Sequence, residues 1–379
     1  MQFSVLLSNL KKQLDEVANI AAASPNKEDI TQNILISVAD NVLTLKSTNY
    51  NIEIKCFIPL SDVVSEGEIT VNANKLKDTL GNLDQNSNIS FRLDEETNVL
   101  IISDGNTSFE IRTRSAIDFP SFDIESIEQE IVIKQSKLKS IIDSSIFCTS
   151  NEDFRDYLKG MRLELNGTKL EVFTSDGHRM AIIETNLENQ IPSDGSFGAI
   201  ITKKCAIELA KILNDNGNSD VVLQFTKNAV LTKCNNFSLA SKLINCGYPN
   251  VRSVIPKSIE TEISIPKSDF NKLIQRVSVL SSKRVNGVTF NFGNGKVDLR
   301  CENSEHEVAT ASLVLPDAQT PIEISLNAQY VRDVLNVISS DNVVFCFSQP
   351  MIHVLIKSEV KSDDVNDIQS KYIISKVVV

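Results

Sequence analysis

The same opening recurs three times along this 379-residue chain, and that repetition constrains the fold more than any single motif. Phe3-Ser4-Val5 is followed by Ser8, Leu10, Leu14 and Val17; Ile131-Val132-Ile133 by Ser136, Leu138, Ile142 and Ser145; Ile263-Ser264-Ile265 by Ser268, Phe270, Ile274 and Val277. Alternating apolar residues predict a short strand, the serine is expected as an N-cap, and the spacing beyond it is helical. A second match lies deeper in each unit: Val71-Asn72-Ala73-Asn74-Lys75-Leu76 resembles Leu326-Asn327-Ala328-Gln329-Tyr330-Val331, with Ile201-Thr202-Lys203-Lys204-Cys205-Ala206 as a weaker middle copy. Three units of roughly 125 residues follow, each expected to hold two helices and about eight strands.

Hairpins account for the strands. Val99–Ile102 turns at Asp104-Gly105 into Ser108–Arg112, Leu163–Leu165 turns at Asn166-Gly167 into Leu170–Phe173, and Val288–Phe292 turns near Gly293-Asn294-Gly295. Proline-bearing stretches that resemble each other, Asp118-Phe119-Pro120 and Gly247-Tyr248-Pro249, separate the units. The expected class is α+β, three repeated domains of two helices packed on antiparallel sheets, at 1–125, 126–256 and 257–379.

With 41% hydrophobic and 23% charged residues the chain supports packed domains and argues against long disorder. No apolar run is long enough to span a membrane, and the N-terminus lacks a basic region followed by a long apolar one, so a cytoplasmic protein is expected. Seven scattered cysteines without a C-x-x-C pair suit neither a disulfide framework nor a zinc site. Three separated histidines make a histidine-rich metal site a poor fit, and no cofactor is expected. A net charge of −11 argues against a nucleic-acid partner unless the basic residues share one surface. Ser175-Asp176-Gly177-His178 could be read as a hydrolytic group, but catalytic groups normally converge from distant segments, and neither G-x-S-x-G nor H-E-x-x-H occurs. No phosphate-binding loop is present either. The chain reads as a non-enzyme.

Three segments carry a family resemblance: Phe154-Arg155-Asp156-Tyr157-Leu158-Lys159-Gly160-Met161, Ser175-Asp176-Gly177-His178-Arg179-Met180-Ala181, and Ser241-Lys242-Leu243-Ile244 leading to Tyr248-Pro249 and Ile255-Pro256-Lys257. Together, in this order, they resemble the bacterial beta clamp, the processivity subunit of the replicative DNA polymerase, over essentially the whole chain. The resemblance implies a head-to-tail homodimer, a six-domain ring with helices facing a central hole that holds double-stranded DNA without reading its sequence. It implies a separate ATP-dependent clamp loader. It also implies basic residues toward the hole, for which Lys75, Lys77, Lys203, Lys204, Lys283 and Arg284 are candidates, with Tyr157 as an aromatic near DNA; a solvated helix face would explain the same lysines. Asp156 and Gly247 depart from the aromatic and basic residues common in relatives.

A second implied site is an apolar cleft between the second and third units that takes short linear peptides from the polymerase catalytic subunit, the clamp loader, repair and translesion polymerases and mismatch-repair proteins. Leu158, Ser175, Gly177, His178, Arg179, Met180, Pro249, Val254, Met351, His353, Ile373 and Ile374 match its lining. Core packing is the competing explanation for the apolar members. The tail Ser375-Lys376-Val377-Val378-Val379 departs from the methionine-proline-methionine pattern of many relatives, and His353 stands where a small residue is usual. A tandem-repeat scaffold that binds protein or carbohydrate without enclosing DNA is the alternative function.

Overall fold

The structure, a computed structural model, describes residues 1–21, 29–187, 196–214, 218–282, 284–359 and 368–379. In the first repeat β1 (Gln2–Leu6) runs into α1 (Leu7–Ala21), and β2 (Asn33–Ala39), β3 (Val42–Thr48), β4 (Ile52–Pro59), β5 (Asp62–Ser65) and β6 (Gly67–Asn72) lead to α2 (Ala73–Gly81). The repeat closes with β7 (Asn88–Asp94), β8 (Val99–Ser103) and β9 (Ser108–Arg112). The second follows the same order: β10 (Gln129–Lys134), α3 (Gln135–Ser145), β11 (Gly160–Asn166), β12 (Lys169–Ser175), β13 (Arg179–Asn186), β14 (Phe197–Thr202), α4 (Lys203–Ile212), β15 (Asp220–Phe225), β16 (Ala229–Cys234) and β17 (Phe237–Lys242). So does the third, with β18 (Thr261–Pro266), α5 (Lys267–Val277), β19 (Gly287–Gly293), β20 (Lys296–Glu302), β21 (Val308–Val314), β22 (Ile322–Asn327), α6 (Ala328–Val337), β23 (Asn342–Phe347), β24 (His353–Ser358) and β25 (Ile368–Ser375). Each repeat therefore carries the two expected helices, and among the described residues β5 is an extra strand of the first.

The described residues fall into two compact units, 1–139 with 204–243, and 140–203 with 244–379, so the middle repeat contributes to both. The first unit holds a five-stranded sheet, β5-β1-β7-β8-β9, and an eight-stranded one, β10-β15-β16-β17-β4-β3-β2-β6. In the second, β14-β11-β12-β13-β25-β24-β23-β18 form eight strands and β21-β20-β19-β22 form four. Both large sheets cross a repeat boundary: β17 pairs antiparallel with β4, and β25 with β13. The period-2 alternation that predicted the hairpins appears as alternating burial along strands such as β7 and β20. In the third repeat Phe270 and Ile274 of α5 meet Phe290, Phe345 and Val331 of α6 in one fully buried cluster.

The expected serine caps are not observed. Ser8, Ser136 and Ser268 are the second residues of α1, α3 and α5, and α5 has no side-chain cap at all. The reason is non-local. Strand runs into helix without a connecting residue, and the first helical amides reach carbonyls of the loop after the second helix: Leu7 to Ser87 at 3.0 Å, Gln135 to Ser219 at 3.0 Å and Lys267 to Asp341 at 2.9 Å. Those amides are thereby satisfied before any side chain is needed. Side-chain caps appear instead on the second helices, where Asn72 accepts from the Lys75 amide, and Asn327 from the Gln329 and Tyr330 amides.

Candidate functional site

The expected cleft residues all lie in the second unit. Ser175, Gly177 and His178 form the turn from β12 to β13, fixed by its own side chains. The Asp176 carboxylate accepts from the His178 and Arg179 amides, both at 2.9 Å, while the Ser175 hydroxyl donates to the Arg179 carbonyl at 2.8 Å. Gly177 sits at φ +87°, a left-handed conformation that favours glycine, and a Cβ there would meet the end of the Arg155 side chain, Nη2, at 2.7 Å. The turn leaves His178 exposed.

Beside the turn, alternation along β13 and β25 assembles an apolar face. Met180 lies opposite Ile373 across the strand pair, and both join Phe173, Ile182, Val344, Cys346 and Leu355 in a buried cluster separate from the main core. The linker after β17 packs on it through Tyr248, Val251 and Ile255. Pro249 and Val254, in the same linker, stay exposed. Arg252 secures the segment: one guanidinium nitrogen lies 2.7 Å from Glu164 and 2.6 Å from Glu171, with the group over the Phe173 ring. Leu158 is buried in a one-turn helix, Asp156–Lys159. Met351 is half-buried against the core of the third repeat. His353 Nδ1 lies 3.2 Å from Ser375 Oγ, and burial pulls the imidazole below its ordinary pKa.

Two expected lining residues face elsewhere. Ile374 is fully buried in the core of the third repeat, on the sheet face opposite Ile373. Arg179 bridges repeats: it donates to Asp333 of α6 at 2.6 Å, to Asp176 at 3.0 Å and to the Phe147 carbonyl at 2.8 Å, with its guanidinium 4.3 Å from the Tyr330 ring centre. Burial opposes its charge, but the two carboxylates outweigh it and hold the pKa above the usual arginine value.

The basic candidates are less available than their sequence suggests. Lys75 and Arg284 are exposed, and Lys77 pairs with Asp15 of α1 at 3.2 Å. Lys203 donates to the Thr149 carbonyl at 3.1 Å and to Asn151 at 2.8 Å, and burial, then Arg179, push its pKa down. Lys204 pairs at 2.8 Å with Glu208, a buried carboxylate that also takes Lys211 at 2.9 Å. Tyr157 packs edge-on against Tyr248. Lys283 lies outside the described residues. Sequence reasoning missed Arg252, Tyr330 and Asp333. Arg252 had a local signal, three residues after the linker proline; Asp333 had none, since its partner is 154 positions away.

Comparison with known proteins accords with this architecture. Models of the DNA polymerase III beta subunit match in three consecutive parts: its N-terminal domain over residues 1–123, its central domain over 132–250 and its C-terminal domain over 252–371. The beta sliding clamp of Salmonella typhimurium is 30% identical over 343 residues, covering 90% of this chain and 92% of that protein. That of Vibrio cholerae is 28% identical over 377 residues and covers both chains fully. Among solved structures, the sliding clamp of Pseudomonas aeruginosa bound to griselimycin superposes with a TM-score of 0.92 at 28% identity, with complete coverage of both chains. The chain belongs to the DNA polymerase III beta subunit family, the bacterial beta sliding clamps.

Proposed function

We propose that two copies of this chain close head to tail into a ring that retains duplex DNA by enclosure, and that its cleft receives short linear peptides. Membership of the family makes the chain a DNA sliding clamp, a processivity factor with no catalysis of its own, and disfavours the scaffold alternative.

The observation that carries closure is a pairing rule. At both repeat boundaries the last strand of one repeat pairs with the third strand of the helix-to-helix hairpin set in the repeat before it, β17 with β4 and β25 with β13. The rule leaves β9, the last strand of the first repeat, and β21, the third hairpin strand of the third repeat, as open edges. An exposed edge templates association, and β21 shows Val308 and Val314 to solvent. Pairing β9 of one copy with β21 of another satisfies the rule at every boundary, and two such head-to-tail joints close a ring of two copies.

Enclosure makes tight phosphate contact unnecessary, which suits a chain of net charge −11. Lys75, Lys77, Lys203, Lys204, Lys283, Arg284 and Tyr157 are the proposed DNA-facing residues. For partner peptides we propose the Ser175–His178 turn, Leu158, Met180, Ile373, Pro249, Val254, Met351 and His353, with Arg179 and Ile374 as supports behind that lining. The partners are the replicative polymerase, its loader, and repair, translesion and mismatch-repair proteins. Domain limits are proposed at 1–125, 126–256 and 257–379. Among the described residues no helix is long and apolar enough to cross a membrane; a cytoplasmic location is part of the same proposal. Light scattering at micromolar concentration should return twice the chain mass, and a single-chain mass would contradict the ring.

A further inference from the structure

The turn that shapes the cleft occurs twice. In the first unit, Thr48–Ile52 repeats Ser175–Arg179 bond for bond: the Thr48 hydroxyl donates to the Ile52 carbonyl at 2.9 Å, and Asn49 Oδ1 accepts from the Asn51 and Ile52 amides at 3.1 and 2.9 Å. Tyr50 occupies the Gly177 place at φ +67°, a left-handed conformation few tyrosines adopt. The flanking pairing is equivalent too, since the Lys242 amide donates to the Asn51 carbonyl at 2.9 Å as the Ser375 amide donates to that of His178 at 2.9 Å. Between this turn and the first proline linker lies a pocket of about 310 Å³, lined by Thr48, Tyr50, Pro120, Phe122, Glu125 and Lys242 among others.

Backbone is shared, but chemistry is not. Where the cleft has Phe173 and Met180, strand register places Lys46 and Glu53, which form a buried ion pair at 3.0 Å. Around it, the Lys46 ammonium donates to Ser121 Oγ at 3.1 Å and lies 5.6 Å from the Phe119 ring centre, while Glu53 accepts from the Phe122 amide at 3.0 Å. The linker is thus held on charge in the first unit and on apolar side chains in the second. Leu158 is likewise matched by Thr31, and Val254 by Glu125. The pair lies beneath Ser121 and Phe122, which wall the pocket, so an apolar anchor seeking the floor that Phe173 and Met180 supply in the second unit would reach a buried ion pair and break hydrogen bonds it cannot replace.

We propose that this pocket is a twin of the peptide cleft made unreceptive to apolar anchors by Lys46, Glu53 and Tyr50, which thereby act as specificity determinants limiting each chain to one peptide site. The inference rests on the peptide reading above. Removing both members of a buried pair is often tolerated, so Lys46→Phe, Tyr50→Gly and Glu53→Met together should convert the twin. Calorimetry of the full chain with an acetylated pentapeptide ending in Leu-Phe should give one site per chain for the parent and two for the triple variant. His178→Ala with Met180→Ala should then return the triple variant to one. In the unaltered chain, a benzophenone form of the peptide should label the segment around His178 and leave that around Tyr50 unlabelled, a readout that needs no variant to fold. A folded triple variant that still binds once, or comparable labelling at Tyr50, overturns the proposal while leaving the cleft itself intact. No binding to the parent overturns the peptide reading and this inference with it.

Discussion

Arg179 donates three hydrogen bonds from a guanidinium that is 11% exposed, two to carboxylates on different repeats and one to a carbonyl. Replacing it with alanine leaves Asp333 and Asp176 without their common partner. Because breaking a mostly buried charge network is among the larger single-residue effects, Arg179→Ala should lower stability by about 3 kcal/mol, read from urea unfolding. His353 provides a pH test. Its folded pKa lies below the ordinary 6.5, so the unfolded chain binds the proton more readily. Stability is therefore full above that value and falls as pH drops through it; His353→Gln should flatten this part of the profile between pH 7 and 5. At this scale the sequence was only partly legible. It marked Arg179 as a site residue, yet the partners that give it its role come from distant strands and helices. Nothing local distinguishes Ile373 from Ile374 either, since both are apolar and only strand register decides which faces the linker.

Elements transmit these residue choices. The turn before β13 holds Gly177 in the left-handed region, so Gly177→Ala should strain it by about 1–3 kcal/mol and weaken peptide binding without dissociating the dimer. Across β12, β13 and β25, Glu184 meets Lys169 at 3.0 Å and Lys371 at 2.7 Å. Burial alone would raise its carboxyl pKa, but the two lysine hydrogen bonds prevail and bring it to about 2. The stabilisation is present above the ordinary 4.5 and is lost as pH falls toward 2, so Glu184→Gln should blunt acid unfolding of this sheet, followed by circular dichroism. Strands and hairpins were legible because alternation and Asn-Gly or Asp-Gly turns are local signals. The helix starts were misread at their serines because the carbonyls serving the first amides lie far along the chain.

For the whole molecule, the repeat was the legible feature and its consequence is topological. Sheets that run across repeat boundaries, with β9 and β21 left over, account for a chain that holds DNA despite an acidic balance. On the proposed DNA-facing role of these lysines, Lys203→Glu with Lys204→Glu should slow loader-dependent assembly and reduce the salt dependence of DNA contact. Lys203 should contribute the larger part, since Lys204 already shares Glu208 with Lys211. The direct test of enclosure is residence on nicked-circular DNA before and after a single cut, with loader and ATP supplied. Stable residence on the circle and rapid loss from the linear form are predicted; equal lifetimes on the two would contradict retention by a closed ring.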